Sequence, residues 1–207
     1  MKTKVPTRRE RQEQTRELLL DAAAMVFARR GYHEASVEEI ASEAGFSTGA
    51  VYSNFAGKEE LFLALADREV EKQVAEIHAV AESVEAGGEA AAEAGRQFQE
   101  LLKRDRDWPL LFYEFWSFGV RNARIQGEFA RRRQAVQDAL AETLDRLAAQ
   151  LGFELRFPAP MLATAISATL NGLAFERAAD PGAISDEVLG EFVAAILGCS
   201  ITVAEHR

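Results

Sequence analysis

The residues whose types and spacing could support chemistry lie on the short segment Thr48–Asn54. Apolar or small residues at helical spacing, Ala50, Val51 and Phe55, would turn towards a core. The other face carries hydroxyl, amide or very small side chains: Thr48, Gly49, Tyr52, Ser53 and Asn54. A helix with this outer face suits the major groove of DNA, where base edges are read by hydrogen bonds and close contact.

The residues just before this helix would position it. Ser36 and Glu39 have the spacing of a capping box, in which each side chain satisfies a backbone N–H at a helix start. The short helix that follows has one apolar face, formed by Val37, Ile40, Ala41 and Ala44. Gly45 stands where a helix commonly ends in the left-handed conformation, and Ser47 is a favourable N-cap. The stretch therefore predicts two short helices around a tight turn.

A family resemblance rests on these residues. The pattern SxxxIAxxAGxSxGxxYxxFxxKxxL resembles the helix-turn-helix signature of the tetracycline-repressor (TetR) family of regulators. It is formed by Ser36, Ile40, Ala41, Ala44, Gly45, Ser47, Gly49, Tyr52, Phe55, Lys58 and Leu61. The similarity extends back to a first helix, predicted from about Arg11 to Arg30 and ended by Gly31. Its predicted buried stripe is Leu18, Leu19, Ala22, Ala23, Val26 and Phe27.

The resemblance implies that this module binds a double-stranded DNA operator through two kinds of contact. The expected phosphate contacts are Arg8, Arg9, Ser47, Tyr52, Asn54 and Lys58, and the expected base-edge contacts are Thr48, Gly49, Ala50 and Ser53. Ser36 is also expected to belong to the DNA-binding site. Asn54 departs from the histidine that many family members carry there. Lys58 also stands out by itself, because a cation at a helix start opposes the helix dipole. It could form a phosphate clamp with the free N–H groups, or it could be a tolerated surface lysine.

The charge of the chain is unevenly distributed. A net charge of −9 would disfavour binding to a polyanion if it were evenly spread. Residues 1–16, however, contain six basic and two acidic side chains, which is a local charge of +4. A basic arm ahead of a recognition module commonly reaches phosphates or the minor groove. A solvated, frayed terminus is the alternative.

The rest of the chain predicts an all-α fold. Helix breakers separate predicted helices near 58–82, 88–105, 108–119, 122–151, 160–178 and 185–204. We expect an N-terminal three-helix DNA-binding domain, residues 1–57, and a helical ligand-binding and dimerisation domain, residues 58–207. The helix that begins at Lys58 would join them as a lever, so that a bound ligand changes the separation of two recognition helices.

Aromatic residues are concentrated in residues 108–120, WPLLFYEFWSFGV, and occur on all sides of the predicted helix. This distribution indicates an enclosed helix. We expect a pocket for a small hydrophobic or amphipathic effector there, since ligand pockets are mainly apolar with a few fixed polar groups. The expected contacts are Phe98, Trp108, Phe112, Phe115, Trp116, Asn171 and Phe175. Ordinary core packing is the alternative for the aromatic members of this set.

The last two predicted helices, near 160–178 and 185–204, have apolar stripes wider than a small monomer needs. In the family that the chain resembles, the equivalent helices pair across a two-fold axis as a four-helix bundle, so the resemblance implies a homodimer. Two recognition helices would then match a pseudo-palindromic operator. The protein would be a repressor that its effector releases from DNA.

Other classes of protein fit the sequence less well. It has no phosphate-binding glycine loop, no zinc-spaced Cys/His set and no nucleophile elbow, so we expect no catalytic residues, no cofactor and no metal site. No stretch reaches the roughly 20 apolar residues of a membrane span. The single cysteine, Cys199, fits a reducing cytoplasm. A small-molecule-binding helical protein whose helix-turn-helix does not act on DNA is the main alternative.

Overall fold

A computed structural model describes residues 7–83, 108–180, 182, 184, 185, 188, 191, 192, 195, 196 and 200–203, without the side chains of residues 81, 83, 108, 109, 118 and 201–203. Its elements are α1 (Arg8–Glu34), α2 (Val37–Glu43), α3 (Thr48–Asn54), α4 (Lys58–Ser83), α5 (Trp108–Gly119), α6 (Ala123–Leu151), β1 (Phe153–Leu155), α7 (Ala159–Ala179) and β2 (Ile201–Val203). The all-α prediction is confirmed, and the helix predicted at 88–105 lies outside the described residues.

Helix α1 begins and breaks on strong local signals. The hydroxyl of Thr7 accepts a hydrogen bond from the N–H of Glu10 at 3.2 Å, and the Glu10 carboxylate accepts one from the N–H of Thr7 at 2.5 Å. This capping box starts the helix at Arg8, three residues before the predicted start. Gly31 interrupts the helix at φ = 75°, where the sequence predicts its end, because glycine adopts this left-handed conformation without a Cβ clash.

The buried stripe of α1 differs from the predicted one at one position. Leu19, Ala23 and Phe27 are buried as predicted, but 45% of Leu18 is exposed and Leu20 is buried instead. The two leucines lie on opposite sides of Leu19, and the core covers the side chain of Leu20 but not that of Leu18.

The first compact unit of the chain is Met1–Glu69. Its aromatic centre joins α1 to the start of α4: the ring centroid of Phe62 lies 5.6 Å from that of Phe27 and 5.3 Å from that of Tyr32. Because Phe62 and Leu65 are buried in this core, the first turns of α4 belong to the N-terminal unit. The division between units therefore falls after Glu69, within α4, whereas the sequence predicts it at residue 57.

The second compact unit is Val70–Arg207. Helices α6 and α7 pack along each other through an apolar cluster that includes Leu140, Leu144, Leu162 and Ile166. Helix α5 meets the start of α6 at Gly119, where an added Cβ would lie 3.3 Å from Cε2 of Phe129 and closer still to Cγ2 of Ile125. This corner therefore has no room for a side chain at residue 119.

The strands β1 and β2 form a two-stranded antiparallel sheet, with Glu154 opposite Thr202. The prediction of a helix through 185–204 is therefore wrong at 201–203. These three residues, Ile201, Thr202 and Val203, are β-branched, which favours a pleated strand over a helix. Their pairing partner follows Gly152, which ends α6 at φ = 71°, where the sequence predicts a helix end.

Candidate nucleic-acid interface

The cap hydrogen bonds of α2 and α3 are local, and they set both helices at the predicted residues. Ser36 Oγ accepts from the N–H of Glu39 at 3.1 Å, and Glu39 Oε2 accepts from the N–H of Ser36 at 3.3 Å, which confirms the predicted capping box. Gly45 turns the chain at φ = 72°. Ser47 Oγ accepts from the N–H of Ala50 at 3.2 Å and so starts α3. Helices α2 and α3 therefore form a helix-turn-helix.

Helix α3 has one buried face and one exposed face. Val51 and Phe55 are 0% and 2% exposed, whereas Tyr52 is 55% exposed. Gly49 and Ser53 are also exposed, and the half-buried members of the predicted set are Thr48, Ala50 and Asn54. The face predicted to contact DNA is therefore presented to solvent by a rigid, buried backing.

Gly49 occupies a position where the fold does not require glycine. A Cβ added there would have Ser47 Oγ at 3.7 Å as its nearest neighbour, which is an ordinary van der Waals contact. Glycine inside a helix costs about 1 kcal/mol relative to alanine. A close approach of the backbone to a ligand is a common reason to keep glycine at such a position.

The polar side chains at the end of α3 bond to the helix itself. The Ser53 hydroxyl donates to the carbonyl of Ala50 at 2.8 Å. The Asn54 amide nitrogen donates to the same carbonyl at 2.8 Å and to the Ser53 hydroxyl at 3.3 Å. An amide nitrogen has two hydrogens to donate, so both hydrogens of Asn54 are used inside the helix. The predicted phosphate contact of Asn54 would have to replace one of these bonds.

Lys58 turns inward rather than towards solvent. Its Nζ donates to the backbone carbonyls of Tyr32, His33 and Ala35 at 2.8, 3.0 and 2.9 Å. The same atom lies 4.7 Å from the centre of the Tyr32 ring, within the range of a cation–π contact. An ammonium group has three donors, and here all three serve the end of α1. Nothing in the spacing of the sequence indicates this contact, because its partners lie more than 20 residues earlier.

Arg16 makes a related contact that sequence reasoning missed. Its Nη1 donates to the carbonyl of Asn54, the last residue of α3, at 3.3 Å. Its guanidinium carbon lies 4.4 Å from the centre of the Phe55 ring. The sequence indicates only that Arg16 belongs to the basic arm, whereas the structure places it against the C-terminal end of α3.

Five other arginines in the described part of the first unit divide into two groups. Arg8 and Arg9 are exposed on the first turn of α1, as a phosphate contact requires. Others form ion pairs on the protein surface: Arg29 with Glu43 at 3.0 Å, Arg30 with Glu39 at 3.2 Å, and Arg68 with Asp21 at 2.7 Å. Their charge is therefore partly neutralised within the unit.

The predicted effector contacts are dispersed in the second unit. Phe112 and Phe115 pack against Phe129, with ring centroids 4.8 and 5.4 Å apart. Trp116 and Phe175 are 42% and 55% exposed, and Asn171 is also exposed. Phe98 and the side chain of Trp108 lie outside the described residues. The interpretation of α5 as a helix enclosed on all sides is therefore wrong, since its Trp116 side is open to solvent.

Buried polar groups in α6 were not predicted. Arg132 is only 4% exposed and donates to Glu128 Oε2 at 2.8 Å. This hydrogen bond and the charges of Arg131 and Arg132 hold the pKa of Glu128 below its ordinary value. Gln137 is also buried, and its amide nitrogen has no hydrogen-bond partner among the described residues. Both residues lie among the otherwise mostly apolar buried residues of α6.

Among the residues that the structure describes, no group of three or more His, Cys, Asp or Glu side chains could hold a metal ion. No helix in the same ranges is long and apolar enough to cross a bilayer.

A compact unit that presents a polar α3 on the support of α1 and α2 defines a DNA-binding protein of the helix-turn-helix class. Residues 19–65 match the family described as bacterial regulatory proteins, tetR family. Residues 89–198, more than half of the chain, match the C-terminal domain described as BetI-type transcriptional repressor. The chain belongs to the TetR family of DNA-binding transcriptional regulators.

Relatives in this family include both activators and repressors. The HTH-type transcriptional activator FasR of Mycolicibacterium smegmatis is 29% identical over 134 residues, which are 65% of this chain and only 60% of the activator. The HTH-type transcriptional repressor AcnR of Corynebacterium diphtheriae is 29% identical over 157 residues, 76% of this chain and 77% of the repressor. Both are transcriptional regulators, a class distinct from enzymes.

A solved structure shares the fold of both units. The regulator FadR from Bacillus subtilis, crystallised in complex with stearoyl-CoA, aligns with a TM-score of 0.67 and 18% identity. The alignment covers 87% of this chain and 96% of that chain.

Proposed function

We propose that the protein is a cytoplasmic, homodimeric repressor that binds a pseudo-palindromic operator and is released by a small hydrophobic or amphipathic effector. The observation that carries this proposal is the exposed face of α3. Tyr52 on this face is 55% exposed, whereas the neighbouring Val51 is fully buried. Tyrosine exposed to this extent on a short helix offers a hydroxyl donor for a phosphate and a ring for a sugar or base edge.

The DNA contacts follow from the exposure of each side chain. Thr48 and Ser53 carry the hydroxyl groups that can reach base edges, and Gly49 and Ala50 permit close approach or contact with a thymine methyl group. Arg8, Arg9, Ser47 and Tyr52 supply contacts to phosphates. Ser36 is half-buried in its capping box and contributes by orienting α2. These contacts confine binding to the N-terminal unit of an otherwise acidic chain.

An exposed stripe on α7 supports the dimer. Five exposed residues share one face of this helix: Met161, Ala165, Ala168, Gly172 and Phe175. Met161 is 59% exposed and Phe175 is 55% exposed, and the residues between them are small. Small residues let a second helix approach closely while the bulky ends pack around it. A two-fold pairing of this stripe would present two copies of α3 to one operator.

Effector control would pass through α4. This helix runs without interruption from Lys58 to Ser83, about 39 Å at 1.5 Å per residue, and its residues belong to both compact units. The crystallised relative from Bacillus subtilis holds stearoyl-CoA, an amphipathic molecule, which supports an effector of that general character here. The aromatic cluster of Phe112, Phe115 and Phe129 includes two of the expected effector contacts, Phe112 and Phe115.

Binding to the DNA upstream of the protein's own gene tests the proposal directly. We expect a gel shift that survives excess unrelated DNA, and a footprint with two symmetric halves separated by about one helical turn. The matched control is Tyr52→Ala, which removes the exposed ring and leaves the buried face of α3 intact. No shift by the wild-type dimer on any genomic fragment would favour a helical small-molecule-binding protein that does not act on DNA.

The lever is tested separately, in the dimer. Cys199→Ala removes the single cysteine, and Ser42→Cys then places one spin label per protomer on the exposed side of α2. We expect the distance between the two labels to change when a ligand that releases DNA is added. An unchanged distance together with DNA release would contradict the lever.

A further inference from the structure

The segment that carries both helices of the helix-turn-helix is held at its two ends by cations. It leaves α1 at Ala35 and joins α4 at Lys58. At the N-terminal end of the segment, the Ala35 carbonyl accepts a hydrogen bond from Lys58 Nζ at 2.9 Å. The residue that begins α4 is therefore bonded to the residue that follows α1. At its exit, Arg16 reaches from α1 to the carbonyl of Asn54 at 3.3 Å. Both contacts use a positive charge to hold backbone within the unit.

The end of α1 is a suitable site for an ammonium group. Gly31 leaves the helical conformation at φ = 75° and ψ = 169°, so the carbonyls of Tyr32, His33 and Ala35 converge beyond the regular helix and accept from Lys58 at 2.8–3.0 Å. Carbonyls at the C-terminal end of a helix carry partial negative charge. If the ammonium group stayed beside the first turn of α4, it would be repelled instead, because the N-terminal end of a helix carries partial positive charge.

The two cations share one chemical arrangement. Each bonds to carbonyl oxygen at the C-terminal end of a helix, α1 for Lys58 and α3 for Arg16. Each also lies over an aromatic ring, Tyr32 at 4.7 Å and Phe55 at 4.4 Å. Hydrogen bonds from charged donors are about twice as strong as neutral ones. The paired contacts therefore restrain where α3 stands relative to α1 and α4 within the unit.

We propose that Lys58 is a positioning residue for DNA recognition, which holds the α2–α3 segment in its binding geometry through three backbone carbonyls and does not bind phosphate. Arg16 has the same role at the end of α3. The inference rests on the proposed DNA-binding function and assigns to Lys58 a role different from the phosphate clamp expected from its sequence position. Lys58 would raise the affinity for DNA by holding α3 in its binding position. A phosphate contact would instead raise the affinity by charge attraction, which depends on salt.

Salt dependence separates the two roles of Lys58. Each phosphate contact contributes roughly 0.9 to the slope of log K against log salt on duplex DNA. We expect Lys58→Met to weaken operator binding by roughly tenfold at every salt concentration and to leave the slope unchanged. The matched control, Arg8→Ala, removes an exposed cation and is expected to lower the slope by about one. A slope lowered by about one in Lys58→Met would overturn the proposal.

A conservative variant provides a second readout. At a phosphate, arginine replaces lysine well because its planar fork fits phosphate oxygens. Three converging carbonyls around one point instead suit the compact ammonium group. We expect Lys58→Arg to restore less than half of the lost binding free energy, at an unchanged slope. Full restoration would contradict positioning.

Stability is measured in parallel, with DNA binding assayed at least 20 °C below each variant's unfolding midpoint. Unchanged affinity of folded Lys58→Met, despite a lower midpoint, would mean that the lysine acts on stability alone, and this would also overturn the proposal.

If the variant does not fold, amine labelling of the wild-type protein decides instead. We expect Lys58 to react slowly with an acetylating reagent in the free protein, compared with the exposed Lys72, and equally slowly with operator bound. Fast labelling that DNA suppresses would identify a phosphate ligand.

These outcomes are distinct from failure of the proposed function. If the wild-type dimer does not bind DNA, the function proposal fails and no salt slope exists to compare. If the wild-type protein binds and Lys58→Met lowers the slope by about one, as Arg8→Ala does, the function stands and the positioning role is wrong.

Discussion

Helices α3 and α7 each expose one face, and the two faces differ in chemistry. Helix α3 exposes Gly49, Tyr52 and Ser53, whereas the stripe on α7 runs from Met161 to Phe175 through small apolar residues. A polar face that can approach closely suits a hydrated, charged partner such as DNA. An apolar face suits burial against protein. The two faces therefore fit the two proposed partners, operator DNA and a second copy of the chain.

The supports of the two faces differ as well. Helix α3 has only seven residues, so caps, a left-handed glycine and the hydrogen bond from Arg16 to the Asn54 carbonyl hold it in place. Helix α7 has 21 residues and packs along α6 through a continuous apolar cluster. A short helix is marginal by itself, which explains why α3 needs caps and polar contacts in addition to its buried Val51 and Phe55, whereas α7 is held by packing along its length.

The largest effect is expected from a charge on the α7 stripe. Ala168→Arg places a guanidinium group at the centre of the proposed dimer interface, where an unpaired charge costs about 3–5 kcal/mol. We expect dissociation to monomers at micromolar concentration in analytical ultracentrifugation, and operator affinity lowered by roughly a hundredfold or more. Ala135→Arg is the matched control, because Ala135 is exposed at the middle of α6. A dimer unaffected by Ala168→Arg would place the interface elsewhere.

The next effect concerns the packing between α5 and α6. Gly119→Ala would drive a methyl group into Ile125, and overpacking of a core typically costs about 1–3 kcal/mol. Gly127→Ala is the control in the same region, since nothing lies within 4 Å of a Cβ added there. We expect urea unfolding to show Gly119→Ala destabilised and Gly127→Ala unchanged or stabilised by up to about 1 kcal/mol. Equal stability of the two variants would contradict the close contact.

A third glycine, Gly49, is expected to affect folding stability and DNA binding in opposite directions. Gly49→Ala adds a methyl group that the fold accommodates, so the free energy of unfolding should rise by a few tenths to about 1 kcal/mol. The same methyl group would hold α3 away from the groove, and we expect operator affinity to fall by roughly tenfold. Thermal unfolding and a binding titration on one preparation measure both quantities. Unchanged affinity would remove Gly49 from the interface.

Features that depend on neighbouring residues in sequence were predictable, and features that join distant segments were not. The bounds of α2 and α3 follow from Ser36, Gly45 and Ser47, whose partners lie within four residues. The contacts of Lys58 and Arg16 cross 23–38 residues, and no periodicity reports them. The strand at 201–203 likewise pairs with a distant segment, β1, in addition to its local β-branched preference.

In the candidate site, the sequence predicted which side chains are exposed better than it predicted what each side chain binds. Tyr52 is exposed as the helical pattern indicates. The family resemblance predicts phosphate contacts for Asn54 and Lys58, but each side chain donates to a carbonyl inside the unit, and these partners follow only from the folded structure. In the second unit, aromatic density did not distinguish the buried Phe115 from the 42% exposed Trp116. Burial of an aromatic side chain depends on the helices packed around it.

The smallest effect separates capping from phosphate contact at Ser47, which is exposed and accepts the N–H of Ala50 at 3.2 Å. Ser47→Ala removes the cap, and we expect it to cost about 1 kcal/mol of unfolding free energy. Ser47→Asp keeps the cap, because aspartate accepts the same N–H and its charge favours a helix start. If Ser47 faces a phosphate, that charge repels DNA. We therefore expect Ser47→Asp to regain wild-type stability in urea unfolding and yet to bind the operator more weakly than Ser47→Ala. Wild-type affinity in Ser47→Asp would show that Ser47 acts only as a cap, and the phosphate contacts of the helix-turn-helix would then rest on Tyr52 and the exposed arginines of α1.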